Sequence, residues 1–184
     1  MTDPDATIVR RVLAGDAEAF GVLVDRHHAR CLRLATHLLA DPAEAEDAVQ
    51  EALLRAYRFL GRYREHDRFG AWLTRIVVNQ CRTAAARRRR ELPHALEWGT
   101  TEGVVPPVDD EAARRDELHR ALAHLPAEQR EAVVLRYADD LTFDEMATAT
   151  GATVAAMKMR VQRACRRLRT LLTPSDTSTR PPHA

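Results

Sequence analysis

The sequence has little glycine or proline and no strand-like pattern. Among its 184 residues, the 7 glycines and 9 prolines fall at boundaries between apolar stretches or in one connecting segment. Apolar residues recur every three to four positions almost throughout, whereas a strand would alternate apolar and polar residues. We therefore predict an all-α protein.

Cysteine is scarce as well. Cys31, Cys81 and Cys165 are odd in number, far apart and without CxxC spacing. This distribution argues against a disulfide framework and against a zinc site, and it fits a reducing cytoplasm. No apolar stretch is long enough to span a membrane, and the acidic start does not resemble a signal peptide. The sequence predicts a cytoplasmic protein that does not insert into membranes.

The residue constellations that are typical of enzymes are also missing. No carboxylate is paired with a histidine or cysteine at the spacing of a nucleophile or metal site. His27 and His28 are adjacent, so on a helix their side chains diverge. No glycine-rich loop for phosphate is present. We predict no catalytic residues, no metal and no cofactor.

Charge of one sign is not in excess, but the charges are segregated. The formal net charge is only +1. One basic run is Arg87 to Arg90, and a second contains Lys158, Arg160, Arg163, Arg166, Arg167 and Arg169. The segment between them, residues 91–113, carries only acidic charges. Two cationic regions that flank an acidic connector fit a protein that binds nucleic acid.

The same connector divides the chain. It contains five of the prolines and glycines and no sustained apolar period, which is typical of a flexible tether. We predict two small helical domains at residues 1–90 and 112–173, with a flexible acidic linker at 91–111. The tail at 174–184 has the composition of a disordered segment.

Residues 142–172 have the pattern of a helix-turn-helix. Thr142 and Glu145 stand at capping-box spacing, Gly151 can take the turn, and Thr153 can cap the second helix. The predicted buried face of that second helix is Val154, Met157, Val161, Ala164, Leu168 and Leu171. The opposite face is cationic, as suits a helix in the DNA major groove.

Two helices of the first half carry polar faces. Asp41 followed by Pro42 marks a helix start, and Glu44, Asp47, Glu51 and Arg55 then share one face of that helix. On a later helix, Arg75, Asn79 and Arg82 share a face. Asparagine can bond a base edge with two hydrogen bonds, and arginine can hold phosphate or guanine.

The order of these segments resembles the extracytoplasmic-function (group IV) sigma factors of bacterial RNA polymerase. The matching stretches of the first half are GDAEAFGVLVDRH, DPAEAEDAVQEALLRAYR and FGAWLTRIVVNQ. Those of the second half are LPAEQREAVVLRYADDLTFDEMATATG and the recognition helix with MKMRVQRACRRLR. The resemblance implies a region 2 domain, which binds core polymerase and reads and melts the downstream (-10) promoter element. It also implies a region 4 domain, whose helix-turn-helix reads the upstream (-35) element.

The resemblance implies roles for three sets of residues. The set that would dock on the coiled coil of the polymerase largest subunit is Glu44, Asp47, Glu51 and Arg55. The set that would bind the downstream element is Tyr63, His66, Arg75, Asn79 and Arg82. The set that would bind the upstream element is Lys158, Met159, Arg160, Gln162, Arg163 and Arg166. Phe69 and Trp72 are instead expected to pack in the core.

The expected partners are core RNA polymerase, through its coiled coil and its flap, and promoter DNA. An anti-sigma factor is a further partner that the resemblance leaves open. The protein would then lie in the cytoplasm, at the nucleoid through RNA polymerase. One alternative stays open from the residues alone: a helix-turn-helix regulator that binds an operator and never contacts polymerase.

Overall fold

The computed structural model describes residues 4–39, 41–64, 68–91 and 110–172. In chain order the helices are α1 (Pro4–Leu13), α2 (Ala19–Leu39), α3 (Pro42–Arg58), a 3-10 turn (Leu60–Arg62), α4 (Phe69–Glu91), α5 (Asp110–Ala123), α6 (Ala127–Tyr137), α7 (Phe143–Thr150) and α8 (Val154–Leu172). No strand occurs in these ranges, and the all-α prediction is confirmed. Most of the predicted linker and the whole predicted tail lie outside the described residues.

The N-terminal half is built from α1 to α4, with α2, α3 and α4 packed on one another. The predicted start of α3 is confirmed, since the Asp41 carboxylate accepts hydrogen bonds from the amides of Ala43 at 2.9 Å and Glu44 at 3.2 Å. α3 presents alanines to its neighbours, and Ala45, Ala52 and Ala56 are fully buried. Small side chains let the helix backbones approach closely, which leaves the charged face of α3 outward.

The C-terminal half is built from α5 to α8, and its helix-turn-helix prediction is confirmed. Thr142 and Glu145 form both bonds of the capping box at the start of α7. Gly151 ends that helix with φ of 72°, a conformation that glycine adopts without strain. The Thr153 hydroxyl then accepts a hydrogen bond from the Ala156 amide at 3.1 Å.

The buried face of α8 is shorter than predicted. Met157, Val161 and Ala164 are buried, and Leu168 packs partly against the core. Leu171, however, is 42% exposed. The apolar stripe therefore anchors the first three to four turns of α8, and these turns carry the predicted DNA-reading residues.

The two halves lie against each other. α7 packs on α4 and α6 packs on α2, so apolar residues of both halves form one continuous buried cluster. Leu135 and Met146 of the second half and Leu73 and Val77 of the first are each almost fully buried. The sequence predicted two domains but did not predict this contact, which places α7 over one side of the helix that carries Arg75, Asn79 and Arg82.

Candidate protein and nucleic-acid interfaces

The acidic face of α3 is formed largely as predicted. Asp47 is exposed, and Glu51 pairs with Arg55 one turn later at 2.9 Å. Glu44 is turned towards α4, where its carboxylate lies 3.5 Å from the Arg88 guanidinium. The outward part of the predicted face is therefore Asp47, Glu51 and Arg55, with Glu44 at its edge.

Exposed apolar side chains continue this face towards the end of α3. Leu54, Tyr57 and Phe59 are 52%, 45% and 43% exposed, and the Tyr57 ring meets Phe20 edge-on at 5.1 Å. None of these three residues was among the predicted site residues, because apolar side chains are expected to be buried. Acidic and apolar side chains side by side on an exposed helix are typical of a protein-binding surface.

The predicted face of α4 is exposed, and one of its residues, Arg82, pairs with a carboxylate of the other half of the chain. Arg75 and Asn79 face outward, and so does Arg82. The Arg82 guanidinium donates two hydrogen bonds to the Glu131 carboxylate of α6, at 2.8 and 2.7 Å, and a third to the Thr150 carbonyl at 3.1 Å. The bond to Glu131 raises the pKa of Arg82 above its ordinary value. Arg82 therefore remains a cation that is held by the other half of the chain.

The loop before α4 is only partly described. Tyr63 is 8% exposed and meets the rings of Phe69 and Trp72 edge-on, each at 5.7 Å between centroids. Phe69 is buried, as expected for core packing. The structure thus places Tyr63 in an aromatic cluster beneath the surface, apart from the exposed residues of α4. His66 lies outside the described residues.

The recognition helix presents most of the predicted upstream set to solvent. Lys158, Met159, Gln162, Arg163 and Arg166 are exposed, and Met159 is 48% exposed. They lie opposite the buried Met157, Val161 and Ala164, so one face of the helix packs in the core and the other faces solvent.

Arg160 differs from the rest of that set. Its side chain is 24% exposed and pairs with Glu128 at 2.8 Å. Arg160 and Glu128 line an open cleft of about 470 Å³, together with Met159 and Arg163 and with Arg89 from the end of α4. The predicted basic run of α4 and the recognition helix therefore meet at one cleft, which suits an anionic backbone.

Two further arginine–carboxylate pairs join the halves. Arg30 of α2 binds Asp139 at 2.7 Å, and Thr74 hydrogen-bonds both partners. Arg68, just before α4, pairs with Glu145 in the first turn of α7. Burial works to raise the pKa of Glu145, but hydrogen bonds from Thr142 and Arg68 outweigh it and lower that pKa.

Sequence reasoning missed these pairs, because their members are far apart in the chain. They border an interdomain cavity of about 250 Å³, which Arg30, Arg68 and Asp139 line with Asp5 and Asp140.

Among the described residues, no group of histidine, cysteine and carboxylate side chains could hold a metal ion. None of the helices in the described ranges has the length and apolar character to cross a bilayer.

Both halves of the chain match known protein families. Residues 23–91 match Sigma-70 region 2, and residues 115–168 match Sigma-70, region 4.

Named relatives match across nearly the whole chain. The chain is 36% identical over 171 residues to ECF RNA polymerase sigma factor SigM of Mycobacterium tuberculosis, covering 91% of this chain and 84% of that protein. It is 30% identical over 174 residues to the RNA polymerase sigma-H factor of Pseudomonas aeruginosa, covering 88% and 90% of the two chains.

Two solved structures share the fold. The sigma factor RpoE from Bartonella quintana, in complex with the anti-sigma factor NepR, matches with a TM-score of 0.73 and 26% identity over 85% of this chain and 98% of that one. CnrH, in complex with the cytosolic domain of CnrY, matches with a TM-score of 0.70 and 27% identity over 92% and 97%. Both likenesses extend over the two halves described above.

Proposed function

Because the chain belongs to the sigma-70 family, in its extracytoplasmic-function group, we propose a separate task for each of its exposed faces. The protein is a sigma factor that binds core RNA polymerase and directs promoter-specific initiation. We propose that it catalyses no reaction itself and acts in the cytoplasm, at the nucleoid. The observation that carries this function is the presence of a region 2 and a region 4 in one chain, each with an exposed face of suitable chemistry.

The first task is docking on core polymerase, which we assign to α3. Asp47 and Glu51 would meet the basic coiled coil of the largest subunit, with Arg55 and Glu44 at the edges. The exposed Leu54 and Tyr57 supply apolar area beside these charges. Charges at the rim then steer association, while the buried apolar contact adds affinity. The polymerase flap would be the second contact, made by the C-terminal domain.

The second task is reading promoter DNA. We assign the downstream element to α4 and its preceding loop, with Arg75, Asn79 and Arg82 as the exposed readers. Tyr63 and His66 are proposed as DNA-binding residues from the family resemblance alone. Tyr63 is buried, so it would contact a base only if its aromatic cluster opened. We assign the upstream element to α8. The residues that would bind it are the exposed Lys158, Met159, Gln162, Arg163 and Arg166, together with the half-buried Arg160.

The predicted domain boundaries separate the proposed functions. Residues 1–90 would bind polymerase and the downstream element, and residues 112–173 would bind the upstream element, with 91–111 as the linker and 174–184 as a tail. An anti-sigma factor is a further proposed partner. It is supported by the match to RpoE, a sigma factor whose structure was determined with the anti-sigma factor NepR.

Transcription by core polymerase tests the proposal directly. Transcripts made from genomic DNA by core polymerase, with and without the purified protein, are sequenced and their start sites compared. We expect a set of start sites that depends on the protein and shares two spaced elements. Co-purification with core separates this function from the alternative: a protein that binds DNA but neither co-purifies with core nor creates start sites is an operator-binding regulator.

A further inference from the structure

The aromatic ring of Phe143 lies within reach of two cations of the C-terminal domain. Its centroid is 5.3 Å from the guanidinium carbon of Arg136 in α6 and 5.8 Å from the ammonium nitrogen of Lys158 in α8. Both distances lie within the roughly 6 Å over which the negative face of an aromatic ring attracts a cation. One side chain of α7 therefore contacts a cation on each of the two neighbouring helices.

The position of this ring is fixed by the chain around it. Phe143 is the first residue of α7, directly after Thr142, whose capping box with Glu145 sets where that helix begins. In the preceding turn, Arg136 donates a hydrogen bond to the Leu141 carbonyl at 2.8 Å. The ring itself is partly buried and packs against the core. Because the backbone is held on both sides of Phe143, the ring has little freedom to move.

Lys158, by contrast, lies on a helix that has no carboxylate to orient a cation. The sequence of α8 contains neither aspartate nor glutamate, and Lys158 is exposed in its second turn. A lysine ammonium is carried on a flexible four-carbon stem, which takes many conformations in water. The contact with Phe143 restricts these conformations and holds the ammonium at one side of the helix.

A ring and a carboxylate orient a cation with different consequences. Arg160 pairs with Glu128 at 2.8 Å, so an anion already lies where a phosphate would bind. The ring of Phe143 attracts Lys158 through its quadrupole and adds no negative charge. Lys158 therefore keeps its full charge for a phosphate or a guanine. A side chain that is ordered before binding also loses less conformational entropy when the complex forms.

We propose that Phe143 is a positioning residue for the upstream element, because its ring holds the Lys158 ammonium in the orientation that meets DNA. Phe143 contacts no base itself and acts through Lys158. Arg136 fixes the ring from the turn before α7 and is not the group through which the ring acts. This inference rests on the proposed function, in which Lys158 binds the upstream element.

A fluorinated ring tests the proposal with little change in packing. A trifluorinated phenylalanine at position 143 keeps the ring and its shape but withdraws electron density from its face. We expect the full-length protein with this ring to bind an upstream-element duplex about twofold to fivefold more weakly. In a Lys158→Met background, which keeps the stem but removes the cation, the same fluorination should have no effect. The matched control is the same fluorinated residue in place of Phe20, whose ring contacts Tyr57 within the N-terminal domain.

The two backgrounds separate a positioning role from a structural one. Unchanged duplex affinity after fluorination of Phe143 overturns the proposal. An equal loss of affinity in the Lys158→Met background also overturns it, since the ring would then act by packing rather than through the cation. Thermal melting of each variant confirms that the compared proteins are folded.

A measurement without DNA separates this proposal from the proposed function. In NMR spectra of the free protein, the ring current of Phe143 should shift the Lys158 methylene protons next to the ammonium upfield, and Phe143→Leu should abolish that shift. Equal shifts in both proteins would show that the contact is absent, and the proposal fails. If the shift is present but Lys158→Met binds the duplex as tightly as wild type does, Lys158 does not read this element and the proposal also fails. Protein-dependent start sites in that case show that the sigma factor function stands.

Discussion

Asn79 is the residue of α4 whose chemistry is most selective. It is exposed between Arg75 and Arg82, and its side-chain amide both donates and accepts hydrogen bonds. The arginine neighbours can hold phosphate or a guanine on either side, whereas the amide donates and accepts at once and can bond an adenine edge. Loss of the amide should therefore affect recognition and opening more than it affects overall attraction to DNA.

Asn79→Ala should impair promoter opening and the choice of downstream element, while binding of an isolated upstream duplex is unchanged. Permanganate reactivity of unpaired thymines, measured at matched promoter occupancy, reports the opening. The upstream duplex serves as the internal control for folding. Equal thymine reactivity in mutant and wild type would remove Asn79 from the site.

The exposed residues of α8 allow a finer distinction. Gln162 can bond adenine through two hydrogen bonds, whereas Arg166, one turn further along, is a cation suited to phosphate. We predict that Gln162→Ala changes preference at one or two upstream base pairs and costs about 1–3 kcal/mol on the cognate sequence. Arg166→Ala should weaken binding to all sequences alike and reduce the salt dependence.

Selection from a randomised upstream duplex at two salt concentrations tests both substitutions together, each serving as the control for the other. The assignments are contradicted if Gln162→Ala keeps the wild-type preference. They are also contradicted if Arg166→Ala shifts the preference without changing the salt slope.

At the scale of elements, α3 combines charge and apolar area on its outer face. Reversing Asp47 and Glu51 to arginine should weaken the complex with core polymerase on the order of tenfold or more at low salt, because like charges would then face each other. Glu117→Arg, on the exposed surface of α5, is the control for a single charge reversal. Affinity for core that is unchanged by the double reversal would show that α3 is not the docking element.

The start of α7 gives an element-scale prediction for pH. The folded protein lowers the pKa of Glu145 below its ordinary value of 4.5, so the ionised carboxylate stabilises the fold. This contribution is fully present above pH 4.5 and is lost as the pH falls through the lower, folded pKa. Thermal melts of wild type and Glu145→Gln should therefore differ at neutral pH and converge in acid. A difference that persists unchanged at low pH would mean that the charge of Glu145 does not stabilise the fold.

Helix ends were predictable, because their signals are local. Asp41 with Pro42, Thr142 with Glu145, and Gly151 each act within one turn of chain, and all formed as predicted. The burial of Tyr63 was not predictable in this way, since it depends on Phe69 and Trp72 lying on the following helix. A loop residue beside cations has the same sequence signature whether its ring faces DNA or the core.

At the scale of the whole molecule, the contact between the domains could not be predicted from the sequence. Arg30 and Asp139 are 109 positions apart and Arg68 and Glu145 are 77 apart, and neither pair has a periodicity that links its members. The charge pattern did indicate two cationic regions, and these meet at the cleft lined by Arg89 and Arg163. The order of charges along the chain therefore indicated the cationic surfaces, whereas only the tertiary structure shows that they meet.

The three interdomain pairs should respond differently to salt, because they differ in exposure. The Arg68 side chain is 68% exposed, whereas that of Asp139 is 3% exposed. The Debye length falls from about 10 Å at 0.1 M to about 3 Å at 1 M, so salt screens the Arg68–Glu145 pair far more than the Arg30–Asp139 pair. The measurement is energy transfer between dyes on the two domains, placed by Arg58→Cys and Thr170→Cys in a Cys165→Ser background. At high salt, Glu145→Gln should match wild type in this energy transfer, while Asp139→Asn should transfer less.

Asp140→Asn is the matched control for this salt experiment. It removes the same charge one residue away, and asparagine tolerates the positive φ of that position. Its energy transfer should follow that of wild type at both salt concentrations, because the exposed Asp140 side chain is not a member of the Arg30 pair. If Asp139→Asn and Asp140→Asn open the molecule equally, net charge rather than the buried pair governs closure. A larger effect of Asp139→Asn at 1 M salt would instead identify the Arg30–Asp139 pair as the anchor that screening does not release.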